Sequence, residues 1–406
     1  MTVILFSLCV IYIAAQVGAE IAQRLKMPAV VGEIAAGAII GPFALGWAQK
    51  SEPLEVLAEI GAVLLLFSVG LETKLGDLKK VGAVAGMVGV AGVIFPFVLG
   101  ASWAHFSGFA WNKALFVAAA FVATSAGITA RVLKDLGALG RIESRVILGA
   151  AVIDDILAML LLGVVSALQG GQGVNFASLA WVLVQALGFV IIIALVGTRL
   201  MRKQSSLLDA PINPLSPLTL CLAGCLVLAA CAAYIGLAAI IGAFLAGMVA
   251  AESKQRHALE EQIIPIMAFI VPFFFILTGM QVDVRALGNT SALIMLLVVT
   301  VLAIIGKLVG CGLGALKLGP RSAAIVGTGM VPRGEVGIIV AALGKSAGVF
   351  NDTVYAIIIA MSLLTSIIAP PVLAALLAKT PEPLTDVPPD DTDESLLLSV
   401  DESGHK

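Results

Sequence analysis

The sequence predicts an all-α membrane protein of about 13 transmembrane helices, arranged as two inverted-topology repeats. Three observations carry that prediction. The 406 residues are 60% hydrophobic and only 12% charged, outside the range of ordinary soluble domains. Breakers divide the chain into thirteen apolar runs, most near the ~20 residues a bilayer requires. Basic residues then alternate between the joining loops. Even-numbered loops carry only Lys50, Lys113, Arg285 and Lys345, whereas every odd-numbered loop carries two or three, from Arg24 and Lys26 in the first to Lys317 and Arg321 in the eleventh. By the positive-inside rule the odd loops are cytoplasmic, so the N-terminus is expected outside and the C-terminus inside. A miscounted span in the middle would have scrambled this alternation.

In chain order the spans read as 2–21, 29–45, 54–72, 81–104, 114–134, 144–168, 175–200, 218–233, 235–252, 263–280, 291–316, 322–344 and 353–378. The first lacks a basic leader and stays apolar to Ile21, which argues for a span rather than a signal peptide. The second is short and rich in glycine. The eighth and ninth are divided near Tyr234-Ile235-Gly236. Beyond the last span, residues 379–406 hold Pro381, Pro383, Pro388 and Pro389, then Asp390, Asp391, Asp393 and Glu394. That composition cannot build a core and predicts a disordered, acidic cytoplasmic tail. The five cysteines lie in apolar runs at spacings that suit neither a disulfide framework nor a zinc site. Cys221 and Cys225 share a helix face as packing residues. A net charge of -2 offers no basic surface for nucleic acid.

An odd number of spans permits two six-span halves of opposite orientation joined by the seventh, the plan of many secondary transporters. The fifth span then corresponds to the twelfth. Both are interrupted, at Ala123-Thr124-Ser125-Ala126-Gly127 and at Gly327-Thr328-Gly329-Met330-Val331-Pro332-Arg333-Gly334. Paired breaks in corresponding spans point to a midplane site.

Charge marks that site. Asp154 and Asp155 stand side by side in the sixth span, ~15 Å into the bilayer at 1.5 Å per residue. A carboxylate there costs at least ~3 kcal/mol on insertion scales and signals an ion or proton pathway. Thr124, Pro332 and Lys307 fall near the same depth in spans five, twelve and eleven. Adjacent helical residues diverge by ~100°, so the two carboxylates cannot face the same way. One can pair with a cation while the other faces water. Lys307 is the Lys set well inside a span and is the expected partner of Asp154, leaving Asp155 as the cation site. A carboxylate holds either a proton or a hard monovalent cation, and that exclusion is the physical basis of cation/proton exchange. Thr124 and Ser125, with unwound carbonyls beside them, supply oxygen ligands suited to a hard cation. Arg333 and Glu335 are expected to neutralise each other or the partial charges at half-helix ends. Arg131 is expected to snorkel, and Glu72 to be structural. His257, in a cytoplasmic loop near Glu252, Glu260 and Glu261, is the residue type of a candidate pH sensor. No resident cofactor is called for.

At these residues the chain resembles bacterial cation/proton antiporters of the NapA type. The resemblance rests on Gly149-Ala150-Ala151-Val152-Ile153-Asp154-Asp155 and on Thr124-Ser125-Ala126-Gly127-Ile128-Thr129-Ala130-Arg131-Val132-Leu133. It extends to Phe67-Ser68-Val69-Gly70-Leu71-Glu72 and Met330-Val331-Pro332-Arg333-Gly334-Glu335-Val336-Gly337. It covers essentially residues 1–378. It implies a homodimer in a bacterial inner membrane, with a dimerisation domain of approximately 1–72 and 175–280. The transport core would be approximately 81–168 and 291–378, with spans five and twelve crossing as discontinuous helices and the core moving like an elevator. A double aspartate is similar to the electrogenic sodium/proton exchangers, and Lys307 matches the family's lysine that pairs with the first aspartate.

The expected function is therefore secondary antiport of sodium or lithium against protons, with monovalent cations, protons and membrane lipid as partners. A potassium/proton antiporter is the alternative, which ion competition separates. An ion channel or sensor is more remote, since buried Lys307 argues against simple conduction. So is an intramembrane aspartyl protease, which needs two carboxylates sharing a proton; adjacent residues on one helix diverge.

Overall fold

The computed structural model describes residues 2–169, 176–203, 215–281 and 289–378, all helical apart from short connections. The acidic tail lies outside the described residues, as does the Glu335 side chain. Among the described residues, ten helices are long and apolar enough to cross a membrane, and shorter apolar helices complete thirteen crossings.

The first three crossings are α1 (Thr2–Arg24), α2 (Ala29–Ile40) and α3 (Glu52–Leu71). The second stops five residues short of its expected end. Gly41 takes an extended conformation and Pro42 follows it, and the residue before a proline is pushed away from the helical region. The next three crossings are α4 (Leu75–Phe106), the broken pair α5 (Trp111–Val122) and α6 (Ala126–Asp135), and α7 (Ile142–Gln169). The seventh is α8 (Phe176–Ile192), a π turn at Ile193–Gly197 and α9 (Thr198–Lys203).

The second half repeats the order. It runs through α10 (Ser216–Ile235), α11 (Ala239–Ala250), α12 (Arg256–Gly279) and α13 (Thr290–Gly314). A 3₁₀ turn, Leu316–Leu318, leads into the second broken pair, α14 (Pro320–Gly329) and α15 (Glu335–Ser346), and α16 (Asp352–Ala378) ends the bundle. The division between α10 and α11 falls at Gly236, whose φ of +92° is a left-handed cap that favours glycine. Equivalent positions match in kind: α2 and α11 are both 12-residue helices, and spans five and twelve are the two broken ones.

Packing sorts the helices into two groups. In one, α1, α2, α3, α10, α11 and α12 lie against each other; in the other, α4, α5, α7, α13, α14 and α16 do. Small residues bring the backbones together, as apolar spans require. A Cβ on Gly70 of α3 would lie 2.3 Å from the Phe244 carbonyl oxygen of α11, so that crossing admits only glycine. The two groups meet where α6 touches α2 and α3, where α16 touches α2, and where α7 reaches α8.

Candidate functional site

The broken crossings meet at their breaks. Residues 123–125 are non-helical between α5 and α6, and 331–334 between α14 and α15. The Ser125 backbone N–H donates to the Pro332 carbonyl at 2.8 Å. The Thr129 hydroxyl donates to the Gly329 carbonyl at 2.6 Å. Residues 331–334 are unwound, so the Pro332 carbonyl lies outside any helical ladder, and the Ser125 N–H satisfies it. Gly334 makes the approach feasible, since a Cβ there would stand 2.6 Å from Ser125 Oγ.

Arg333 locks the crossing. Its side chain is fully buried. One terminal nitrogen donates to the carbonyls of Ala120 at 3.1 Å and Ala123 at 2.9 Å, and the other to Ala303 of α13 at 3.1 Å. Ala120 and Ala123 belong to the last turn and cap of α5, where orphan carbonyls gather the negative end of the helix dipole. A guanidinium presents several donors in a rigid fork, which a lysine could not reproduce. The Ser366 hydroxyl of α16 donates to the Arg333 carbonyl.

Asp154 and Lys307 meet inside this frame. Lys307 Nζ lies 2.6 Å from Asp154 Oδ1, and both side chains are fully buried. The second carboxylate oxygen, Oδ2, has no partner among the described residues. Gly92 of α4 makes room for the pair: a Cβ there would fall 2.5 Å from Cys311 Sγ, 3.7 Å from Lys307 Nζ and 3.9 Å from Asp154 Oδ1.

Asp155 faces elsewhere. It is half-buried and lines a cavity of about 20 Å³ with Leu66 of α3, Ala126 of α6, and Ile240, Ile241 and Phe244 of α11. That volume admits about one water. Ala126 opens α6, whose positive dipole end favours a carboxylate. The two aspartates thus look in different directions, Asp154 into α13 and Asp155 towards the boundary between the helix groups.

Thr124 is buried, and its hydroxyl stands 3.5 Å from both the Val122 and Met330 carbonyl oxygens. Those distances are long for O–H···O bonds, so three oxygens gather at the crossing without a strong bond committing the hydroxyl. Ser125 is fully buried beside them. Arg131, expected to snorkel, is tied to Asp135 of its own helix at 2.9 Å and lies 5.9 Å from the Phe275 ring centre. Glu72 of α3 accepts from Lys134 of α6 at 2.6 Å, and Lys134 also reaches Ser68. His257 lies 3.3 Å from Glu260 and is 89% exposed.

Several contributors escaped the sequence reading: Thr129, Ser366, Gly92 and Cys311. Hydroxyls in apolar spans could have flagged the first two, since each needs a buried acceptor. Nothing in a single sequence distinguishes Gly92 from the other small residues of α4.

The profile of the family described as "Sodium/hydrogen exchanger, transmembrane" matches residues 7–379, nearly the whole described bundle. The chain belongs to this family. It is 35% identical to the high-affinity Na(+)/H(+) antiporter NhaS3 of Synechocystis, over 92% of this chain and 89% of that protein. It is 36% identical to the Na(+)/H(+)-K(+) antiporter GerN of Bacillus cereus, over 91% and 95%. The sodium proton antiporter MjNhaP1 of Methanocaldococcus jannaschii shares the fold, with a TM-score of 0.70 at 17% identity over 91% of this chain and 95% of that one.

Proposed function

We infer that this multi-pass membrane protein is a secondary antiporter that exchanges sodium for protons. The observation that carries the reading is a buried Asp154–Lys307 ion pair beside a second carboxylate, Asp155, that opens on a cavity between the two helix groups.

In this mechanism Asp155 binds the cation from one side of the membrane. Thr124, Ser125 and the carbonyls at the crossing complete an oxygen shell suited to a hard ion. Asp154 and Lys307 exchange their ion pair for a protonated state in alternation with cation occupancy. Arg333 neutralises the C-terminal end of α5, so the crossing holds its shape as charge comes and goes. Glu335 belongs to the same compensation by its place at the start of α15.

The group containing α4–α7 and α13–α16 would act as the transport core and move like an elevator against α1–α3 and α8–α12. A double carboxylate with a lysine lets more than one proton exchange per cation, so exchange would be electrogenic. The protein would work as a homodimer in the inner membrane, N-terminus outside. Lithium should substitute for sodium. Potassium/proton exchange is the second reading, favoured by the likeness to a Na(+)/H(+)-K(+) antiporter.

The test is sodium-driven proton movement in proteoliposomes with wild type, Asp155→Asn and Lys307→Ala. Loss of sodium-dependent flux in Asp155→Asn supports the cation site. Full exchange in that variant overturns it, and flux with potassium alone moves the chain to the second reading.

A further inference from the structure

A second acidic group lies buried in the spans, away from the aspartates. Glu33 sits one turn into α2, and its residue is 4% exposed. Its Oε2 has no hydrogen-bond partner among the described residues. An ionised carboxylate buried without a cation costs several kcal/mol, so the site calls for either a proton or a counter-charge.

The charged groups around it are few. On α6, which touches α2, Arg131 and Asp135 act on Glu33 electrostatically, the first attracting and the second repelling its negative charge. Arg131 gives its Nε to both Asp135 oxygens at 2.9 Å. On α1, Glu20 and Arg24 pair with each other at the surface. The first turns of α12 carry Arg256, His257, Glu260 and Glu261, of which Arg256 and His257 both meet Glu260. On α16 the one charged residue is Asp352, at the helix start, which pairs with Lys345.

The count of charge is then simple. With Glu33 protonated, Arg131 and Asp135 cancel. With Glu33 ionised, two carboxylates share one guanidinium, and the buried one has the stronger need. The position gives this competition a mechanical meaning. Glu33 belongs to the α1–α3 group, whereas Arg131 belongs to α6, one of the helices proposed to move. Lys134 already fastens α6 to Glu72 of α3.

We propose that Glu33 is a regulatory proton site: protonated, it leaves α6 free to slide; ionised, it draws Arg131 off Asp135 and fastens α6 to α2. Exchange would then slow at alkaline pH through this latch rather than through the aspartate site. The effect on rate rests on the antiport reading; the latch itself does not.

Two measurements test it on full-length protein. In proteoliposomes, the pH profile of sodium-driven proton movement is recorded for wild type, Glu33→Gln, Arg131→Gln and the double variant. Glu33→Gln should move the alkaline limb up by on the order of one pH unit, with the sodium KM at the optimum unchanged. Arg131→Gln should do the same, and the double variant should add nothing further. Should Glu33→Gln fail to fold, Glu33→Asp should move the limb part of the way. A profile superimposable on wild type, or a rate lowered equally at every pH, overturns the proposal. Separately, amide exchange across 126–135, corrected for its intrinsic pH dependence, should slow at alkaline pH in wild type but not in Glu33→Gln. Equal protection in both overturns the latch whether or not the protein transports sodium. Absence of exchange in wild type, with the protection difference present, would count against antiport and not against the latch.

Discussion

Removing either charge of the Asp154–Lys307 pair should destabilise the bundle more than removing both. At 2.6 Å, the attraction is about 6 kcal/mol at an effective dielectric constant near 20. Desolvation of two fully buried ions costs several kcal/mol each. The pair therefore sits near balance, and its net contribution to stability is small. A single neutralisation leaves the desolvation cost of the surviving ion unopposed, which for a buried pair is roughly 3–5 kcal/mol. Asp154→Asn and Lys307→Met each approximate the original volume, so cavity effects stay minor. The double variant should cost about 1–2 kcal/mol, the scale of imperfect packing and an amide with incomplete hydrogen bonds. The coupling energy is then at least about 4 kcal/mol. Heat-induced loss of the monodisperse species in detergent, compared across the four proteins, measures it. Additive effects of the two substitutions would refute the reasoning.

Other substitutions test the frame around the pair. Gly92→Ala places a methyl 2.5 Å from Cys311 Sγ; it should lower stability by roughly 1–3 kcal/mol and slow exchange, and Cys311→Ala added to it should restore both. Gly334→Ala puts a methyl 2.6 Å from Ser125 Oγ, and Ser125→Ala should rescue its thermal stability in part. Arg333→Lys should fail to replace Arg333 in a thermal-stability or exchange assay, because one ammonium cannot reach Ala120, Ala123 and Ala303 in the same geometry. Thr129→Val removes the 2.6 Å bond to Gly329 and should cost roughly 1–2 kcal/mol, read as a lower melting temperature with the sodium KM unchanged.

The architecture was legible because a bilayer simplifies the problem. Backbone polar groups must be satisfied within each span, so hydropathy, breakers and loop charge locate the crossings at Thr2–Arg24 through Asp352–Ala378 with small shifts at their ends. The shift at Ile40 came from Gly41-Pro42, a local signal that hydropathy averages over. The breaks in spans five and twelve were legible from Thr124-Ser125 and Met330–Gly334, where polar and helix-breaking residues interrupt apolar runs. What was not legible is side-chain direction at the crossing. Arg333 donates to carbonyls on α5 and α13, partners far from it along the chain. That choice depends on which half-helix end lies within reach, and a single sequence does not carry that distance. Glu33 escaped for a similar reason. In the sequence it is one acid near a helix start, and its isolation appears only when α6 is packed beside it.

The adjacency of Asp154 and Asp155 follows from this geometry. In the proposed mechanism one carboxylate faces the cavity and takes the cation while the other keeps its charge in reserve, and the two must respond to each other. Consecutive helical residues differ by ~100°, so one helix can place the first on the boundary between helix groups and the second against α13. A longer spacing such as i, i+4 would put both on one face, where they would share the cavity and Lys307 would face both. A wider separation along the helix would weaken their coupling. The break in α5–α6 completes the logic: it starts α6 at Ala126 beside Asp155, and Arg333 disposes of the opposite charge that the same break exposes at the end of α5. Broken helix, buried arginine and paired aspartates therefore form one electrostatic unit, and the single and double variants of Asp154 and Lys307 probe its centre.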